Sequence, residues 1–173
     1  MDKINLLCDR TSVRSYDLKS DIEPTVKWLN DPFVRKNFGI NAAVSIDSHL
    51  QWLRDNPHIE LFSILFDGQY CGNIVTDANM KHRSVYLQIY IGEASVRGCG
   101  AGYAAMKVIC RHLFFTKNLN RIWLHTFEFN NAAKKLYEKL GFQIEGVEKE
   151  AILRDGVFED QTRWSLLRKE WRE

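Results

Sequence analysis

From Glu60 onward apolar residues fall at the two-residue period of strands, whereas the stretch before it reads as one strand followed by a helical flap. Thr11 to Asp17 predicts that first strand, and Ser20-Asp21 then offers a cap for a helix carrying Val26, Trp28 and Leu29, closed by Asn30-Asp31-Pro32. A short helix around Phe33-Val34-Arg35 follows, and Ser45-Ile46-Asp47-Ser48 opens a third with Leu50, Trp52 and Leu53, ended by Asn56-Pro57. The runs Leu61–Phe66, Tyr70–Thr76 and Val85–Ile91, joined through Asp67-Gly68 and Lys81-His82-Arg83, predict an antiparallel meander.

Beyond the meander the helical period returns at Tyr103 to Thr116, with Ala104, Val108, Leu113 and Phe114 on one face. Arg121 to Phe127 is a strand and Asn130 to Leu140 a helix stopped by Gly141. Phe142 to Leu153 and Val157 to Leu167 are two further strands turning at Arg154-Asp155-Gly156. This order predicts one domain over residues 1–173, an α/β fold with a mixed sheet flanked by helices on both faces.

Between the meander and the helix at Tyr103, an apolar strand runs into Arg97-Gly98-Cys99-Gly100-Ala101-Gly102 and a small-residue helix follows at once. Glycines at alternate positions let backbone N–H groups close on an anion at a helix N-terminus, the grammar of a phosphate cradle. No Lys-Ser or Lys-Thr follows, so a Walker loop lacks its lysine and its magnesium hydroxyl, and the spacing is not the Gly-x-Gly-x-x-Gly of a dinucleotide fold. A glycine-rich helix start with no ligand is the alternative that this loop alone leaves open.

Composition narrows the chemistry. Twenty-four basic and 22 acidic residues leave a net charge of +2 with no basic run, which argues against a nucleic-acid surface. The four cysteines show neither a Cys-x-x-Cys nor a metal-ligand spacing, so they read as reduced cytosolic thiols with no metal site. With no signal-peptide layout and no long apolar span, a cytoplasmic protein without membrane contact is expected.

Two motifs together carry a family resemblance. Arg97-x-x-Gly100-x-Gly102 is similar to the coenzyme A pyrophosphate loop of the GCN5-related N-acetyltransferases, and Asn130-x-x-Ala133-x-x-x-Tyr137-x-x-x-Gly141-Phe142 resembles the segment that follows it there after an intervening strand. Within that superfamily, Trp28-Leu29-Asn30-Asp31-Pro32, Val34-Arg35, Ser45-x-x-x-His49-x-x-Trp52, Glu145-Gly146, Asp160 and Glu170-Trp171 resemble the group of ribosomal-protein and nucleotide-sugar 4-amine N-acetyltransferases. The resemblance implies that fold, with about seven strands, and direct transfer of acetyl from acetyl-CoA to a primary amine, with no metal. It also implies cofactor contacts at Ile89, Tyr90 and Ile91, through a splay after the strand Val85–Ile91, at Arg97, Gly98, Cys99, Gly100, Ala101 and Gly102, and at Asn130.

The resemblance places Tyr137 on the family's acid position, and a neutral phenol suits donation to a departing thiolate. His125, on the strand before Asn130, is the candidate base, since a neutral imidazole accepts a proton near pH 7. A structural histidine there is the alternative. Arg35, His49 and Trp52 on the flap are the candidate acceptor contacts, through charge and stacking. Cys99 invites a covalent thiol mechanism, but it occupies a free position of the motif. The expected reaction is acetylation of a small-molecule amine, with an amino sugar, possibly nucleotide-linked, ahead of a protein N-terminus, a polyamine or an antibiotic. A coenzyme-A-binding sensor without turnover is the alternative of a different class, and nothing in the sequence speaks to oligomeric state.

Overall fold

The structure, a computed structural model, describes residues 4–172. Its sheet has eight strands: β1 (Asn5–Cys8), β2 (Thr11–Ser15), β3 (Ile59–Phe66), β4 (Gln69–Asn79), β5 (Ser84–Ile91), β6 (Arg121–Phe127), β7 (Gln143–Arg154) and β8 (Val157–Leu167). They run in the order β1-β2-β3-β4-β5-β6-β8-β7, and only β5 and β6 are parallel. The strand that periodicity does not reveal is β1, four residues of half-buried and exposed side chains held as a hairpin on β2 through a turn at Asp9, φ 50°. Its order comes from edge pairing rather than from a buried stripe.

The flap helices form where their caps dictate, with one shift. Helix α1 (Leu18–Leu29) starts ahead of Ser20-Asp21 because Asp17 caps it, accepting from the Lys19 N–H at 3.0 Å. Asp31 accepts from the Phe33 and Val34 N–H groups at 3.1 and 3.2 Å to open α2 (Pro32–Phe38), with Pro32 at the position that needs no donor and Gly39, φ 75°, closing it. Ser45 and Ser48 cap α3 (Ile46–Asp55) reciprocally.

On the other side of the sheet, α4 (Ala101–Arg111) begins two residues before the expected Tyr103 and runs into a π-helical turn at His112–Thr116. It buries Ala105, Met106, Ile109 and Leu113 with Val13, Ile64, Ile74, Val85 and Leu87. Trp28, Leu29 and Val34 cover the opposite face around Tyr90. Helix α5 (Asn131–Lys139) ends at Gly141, φ 87°, where the Phe142 N–H returns to the Tyr137 carbonyl at 2.9 Å and folds Phe142 under the helix. No helix among the described residues is long and apolar enough to cross a membrane.

Asp21, expected to cap α1, is instead 1% exposed inside it and ties the flap to the sheet. Its carboxylate takes two 2.7 Å bonds from Arg14, 2.6 Å from Ser63, 2.8 Å from Ser20 and 2.9 Å from the Asp17 N–H. Burial alone would raise its pKa, but the Arg14 guanidinium and the other donors outweigh it and hold the group at about 2. The folded pKa lies below the unfolded one, so the stabilisation is complete above about pH 4 and is lost as pH falls toward the folded value. Asp21→Asn leaves Arg14 without its counter-charge and is expected to lower unfolding free energy at pH 7 by about 2–4 kcal/mol. Urea unfolding at pH 7 and pH 3 should show a smaller acid-induced loss in the variant than in the parent; equal losses would remove Asp21 as its source.

Candidate active site

The site starts where two strands part. Parallel β5 and β6 pair only over Ser84–Tyr86 against Arg121–Trp123, while β5 stays bonded to β4 as far as Ile91 and β6 to β8 as far as Phe127. From Leu87 to Ile91, alternate N–H and C=O groups of β5 therefore face an opening instead of a neighbour. The expected splay is present, and it begins inside the strand rather than after it. A cleft of about 380 Å³ occupies the gap and is lined by the free edge of β5, the glycine loop, the start of α5, His125 and Tyr137.

The loop presents backbone to this cleft. Gly98 and Gly100 hold φ of 83° and 89°, a region that favours glycine, and beyond the adjacent residues no protein atom lies within 4 Å of where a Cβ would stand at either. The first intrahelical bond of α4 runs from the Ala104 N–H to the Gly100 carbonyl at 3.0 Å, so the Ala101, Gly102 and Tyr103 N–H groups have no intrahelical partner. Together with the positive end of the helix dipole, these donors suit an anion.

Two residues expected to serve the cradle also bond within the loop, and one of them to the flap. The Arg97 and Cys99 N–H groups are engaged in the loop's own turns, to the Ala94 and Val96 carbonyls at 3.2 Å each. The Arg97 guanidinium donates to the Ile91 and Gly92 carbonyls at 3.0 and 2.7 Å, stands 4.2 Å over the Phe33 ring and pairs with Asp31, so it shapes the loop and joins it to α2. Cys99 is exposed, its thiol 3.7 Å from the Ser95 carbonyl, and it is not part of the cleft wall. Asn130 lines the cleft and caps α5, accepting from the Ala133 N–H at 3.2 Å.

Tyr137 is 4% exposed, with Phe142 and Trp164 rings 5.6 and 6.2 Å from its own. Among the described residues no group bonds its hydroxyl, and burial pushes the phenol well above its ordinary pKa, so it stays protonated. His125 reaches the same cleft from β6. Its Nε2 lies 3.2 Å from Glu148 Oε2 and 3.4 Å from Arg163 Nε, and Arg163 in turn bonds Glu148 at 2.5 Å. Arg163 Nε is the donor to Nε2, while Glu148 stands within ion-pair range of the same nitrogen. Glu148, on β7, carries no motif signal; only the antiparallel pairing of β7 with β8 and β8 with β6 brings it beside His125. Glu128 is turned outward to Lys134, with its side chain 82% exposed.

The flap residues expected to meet an acceptor are not on the cleft wall. Arg35 donates to the Asn41 carbonyl at 2.8 Å. His49 is buried against Trp52, rings stacked 5.8 Å apart, and burial lowers its pKa. Helical spacing places His49 and Trp52 on one face, and neither lines the opening. The flap side chains that do line it are Phe33, Val34, Asn37 and Phe38 of α2.

Residues 22–142 match the acetyltransferase (GNAT) family. YdaF of Bacillus subtilis (strain 168), whose name is that of a ribosomal N-acetyltransferase, is 27% identical over 109 residues, 62% of this chain and 59% of YdaF. The L-amino acid N-acetyltransferase AaaT of Escherichia coli (strain K12) is 28% identical over 110 residues, 62% of this chain and 68% of AaaT. The same fold is seen in the spermidine N-acetyltransferase of Vibrio cholerae, solved with CoA and spermine. It superposes with a TM-score of 0.86 at 22% identity, over 94% of this chain and 98% of that one.

The loop geometry separates fold from ligand at two glycines. Gly102 has no left-handed φ, and a Cβ there would meet only ordinary contacts at 3.7 and 3.9 Å, so Gly102→Ala should stabilise α4 by up to about 1 kcal/mol and leave coenzyme A affinity within about threefold. Gly100→Asp, placing a carboxylate in the open space before the helix, should weaken coenzyme A by about a hundredfold or more. Calorimetry on both variants, with thermal unfolding as the folding control, checks this; parental affinity in Gly100→Asp would overturn the cradle.

Proposed function

Because the chain belongs to the acetyltransferase (GNAT) family, we propose that its cleft moves acetyl from acetyl-CoA directly to the primary amine of an amino sugar, free or nucleotide-linked. The observation that carries the reading is the convergence in one cleft of an anion cradle, an unpaired strand edge, a protonated buried phenol and an imidazole backed by a carboxylate. Acetyl-CoA, the co-substrate, supplies an activated acetyl group. The Ala101, Gly102 and Tyr103 amides suit its diphosphate, and the β5 edge from Leu87 to Ile91 suits an extended amide-bearing arm by strand-like pairing.

His125 takes the proton that the acceptor nitrogen loses as it forms the new C–N bond, with Glu148 steadying the imidazolium. Tyr137 gives its proton to the sulfur as the C–S bond breaks. Direct transfer fits the position of Cys99 outside the cleft wall.

The acceptor class follows from what surrounds it. Asn37, Gln88 and Gln161 supply neutral amides and Phe38, Tyr86 and Phe127 supply aromatic faces, while no Asp or Glu stands among the described lining residues. A polyamine entering this wall would strip its cationic nitrogens of water without a counter-charge. A sugar ring stacks on aromatics and exchanges hydrogen bonds with amides.

Tyr137→Phe should lower kcat about 10²-fold with little change in coenzyme A affinity, and His125→Gln should remove the low-pH limb of kcat/KM, since activity is lost as the base becomes protonated. A single pH–rate series on the three proteins checks both. An unchanged kcat for Tyr137→Phe where chemistry limits turnover reduces Tyr137 to packing, and a parental profile for His125→Gln removes it as base.

With acetyl-CoA saturating, an amino sugar, free or nucleotide-linked, should exceed spermidine and a peptide with a free N-terminus in kcat/KM by at least about tenfold. A win for spermidine or the peptide transfers the assignment to that class. Tight coenzyme A binding with no acceptor turned over would favour the sensor.

A further inference from the structure

On the acceptor side of the cleft, α2, β8 and the end of β6 converge on one side chain. Arg154, at the end of β7, is only 12% exposed. Its Nη1 donates to the Lys36 carbonyl of α2 at 2.6 Å, and its Nη2 pairs with both oxygens of Glu159 on β8. Its guanidinium carbon stands 4.9 Å over the Phe127 ring and 5.2 Å over Phe129, which are themselves stacked 5.3 Å apart.

The contact on α2 is to a carbonyl of its last turn, which has no partner within so short a helix and sits at the negative end of its dipole. Gly39 then lies flat on Phe127, a Cβ there falling 3.3 Å from Phe127 Cζ, and Asn41 reaches the Leu153 carbonyl at 2.9 Å. Asn37, Phe38 and Phe127, the acceptor-side wall, are thus held from behind by a residue that does not itself line the cleft.

We propose that Arg154 is a positioning residue for acceptor recognition, fixing the distance between α2 and the end of β6 so that Asn37, Phe38 and Phe127 form one preorganised wall. The proposal rests on the reading of the cleft as an acetyl-transfer site. Glu159 keeps the guanidinium oriented, and the planar fork lets it bond, pair and stack at once, which a lysine ammonium cannot do. The glycine loop and the β5 edge do not touch Arg154, so cofactor binding should respond to it much less than acceptor binding does.

Arg154→Met keeps the stem and deletes the bonds. In parallel with the parent and Arg154→Lys, it should raise the KM of the best acceptor found in an amine panel by at least about tenfold, with kcat and the KM of acetyl-CoA within about threefold and Arg154→Lys between the two. Amide hydrogen exchange over residues 36–44 should accelerate at least about tenfold in Arg154→Met and stay unchanged over β4. An unaltered acceptor KM, or equal rises in both KM values, overturns the role, as does parental exchange over residues 36–44. If the parent acetylates no amine, the functional reading falls while the exchange result still decides whether Arg154 holds the wall.

Discussion

The parting of β5 from β6 is the constraint on which the molecule depends. Past Tyr86 the sheet forgoes the ladder bonds of five residues, and each backbone group left open needs water or a ligand as partner. The gap persists because each strand is fully engaged on its other side, β5 with β4 and β6 with β8. Two close approaches pin the end of β5. A Cβ on Gly72 would lie 2.2 Å from the Tyr90 carbonyl oxygen, and one on Gly92 would lie 2.2 Å from the Trp28 indole. The Gly92 and Glu93 N–H groups both donate to the Cys71 carbonyl, at 2.8 and 3.0 Å, and turn the chain toward the glycine loop.

Charge and backbone divide the work around this gap. Arg97, the one Lys, Arg, Asp or Glu side chain on the cleft wall among the described residues, is spent on the Ile91 and Gly92 carbonyls and on Asp31 and Phe33 of the flap, so it joins the loop to α2. The free donors toward an anion are amides, which hold their positions without the entropy that ordering a long side chain costs. Under the flap, Thr25, Tyr70, Asn73 and Tyr90 form a buried hydrogen-bonded cluster beside the Arg14–Asp21 pair, and burial raises both phenols' pKa values so that they remain neutral. That cluster orients α1, and through it Trp28 against Gly92, so the flap and the strand end are set together.

The sequence by itself determined whatever depends on local chemistry or on a short repeat. The cap at Ser45, the helix start at Asn130, the stop at Gly141-Phe142, the meander period and the glycine spacing each need only neighbouring residues to act, and all stand where the chain implies. Tyr137 and His125 share a cleft because motif spacing carried them there. What only the tertiary structure decided is which face a segment turns to its partner. His49 and Trp52 share a helix face by spacing, but packing leaves neither on the cleft wall, and Arg35 donates to a loop carbonyl. Strand β1 exists through pairing alone, Glu148 reaches His125 across β8, and Arg154 reaches Lys36 from 118 residues away. Such contacts are set by strand order and register, which span separations that no local pattern of side chains encodes.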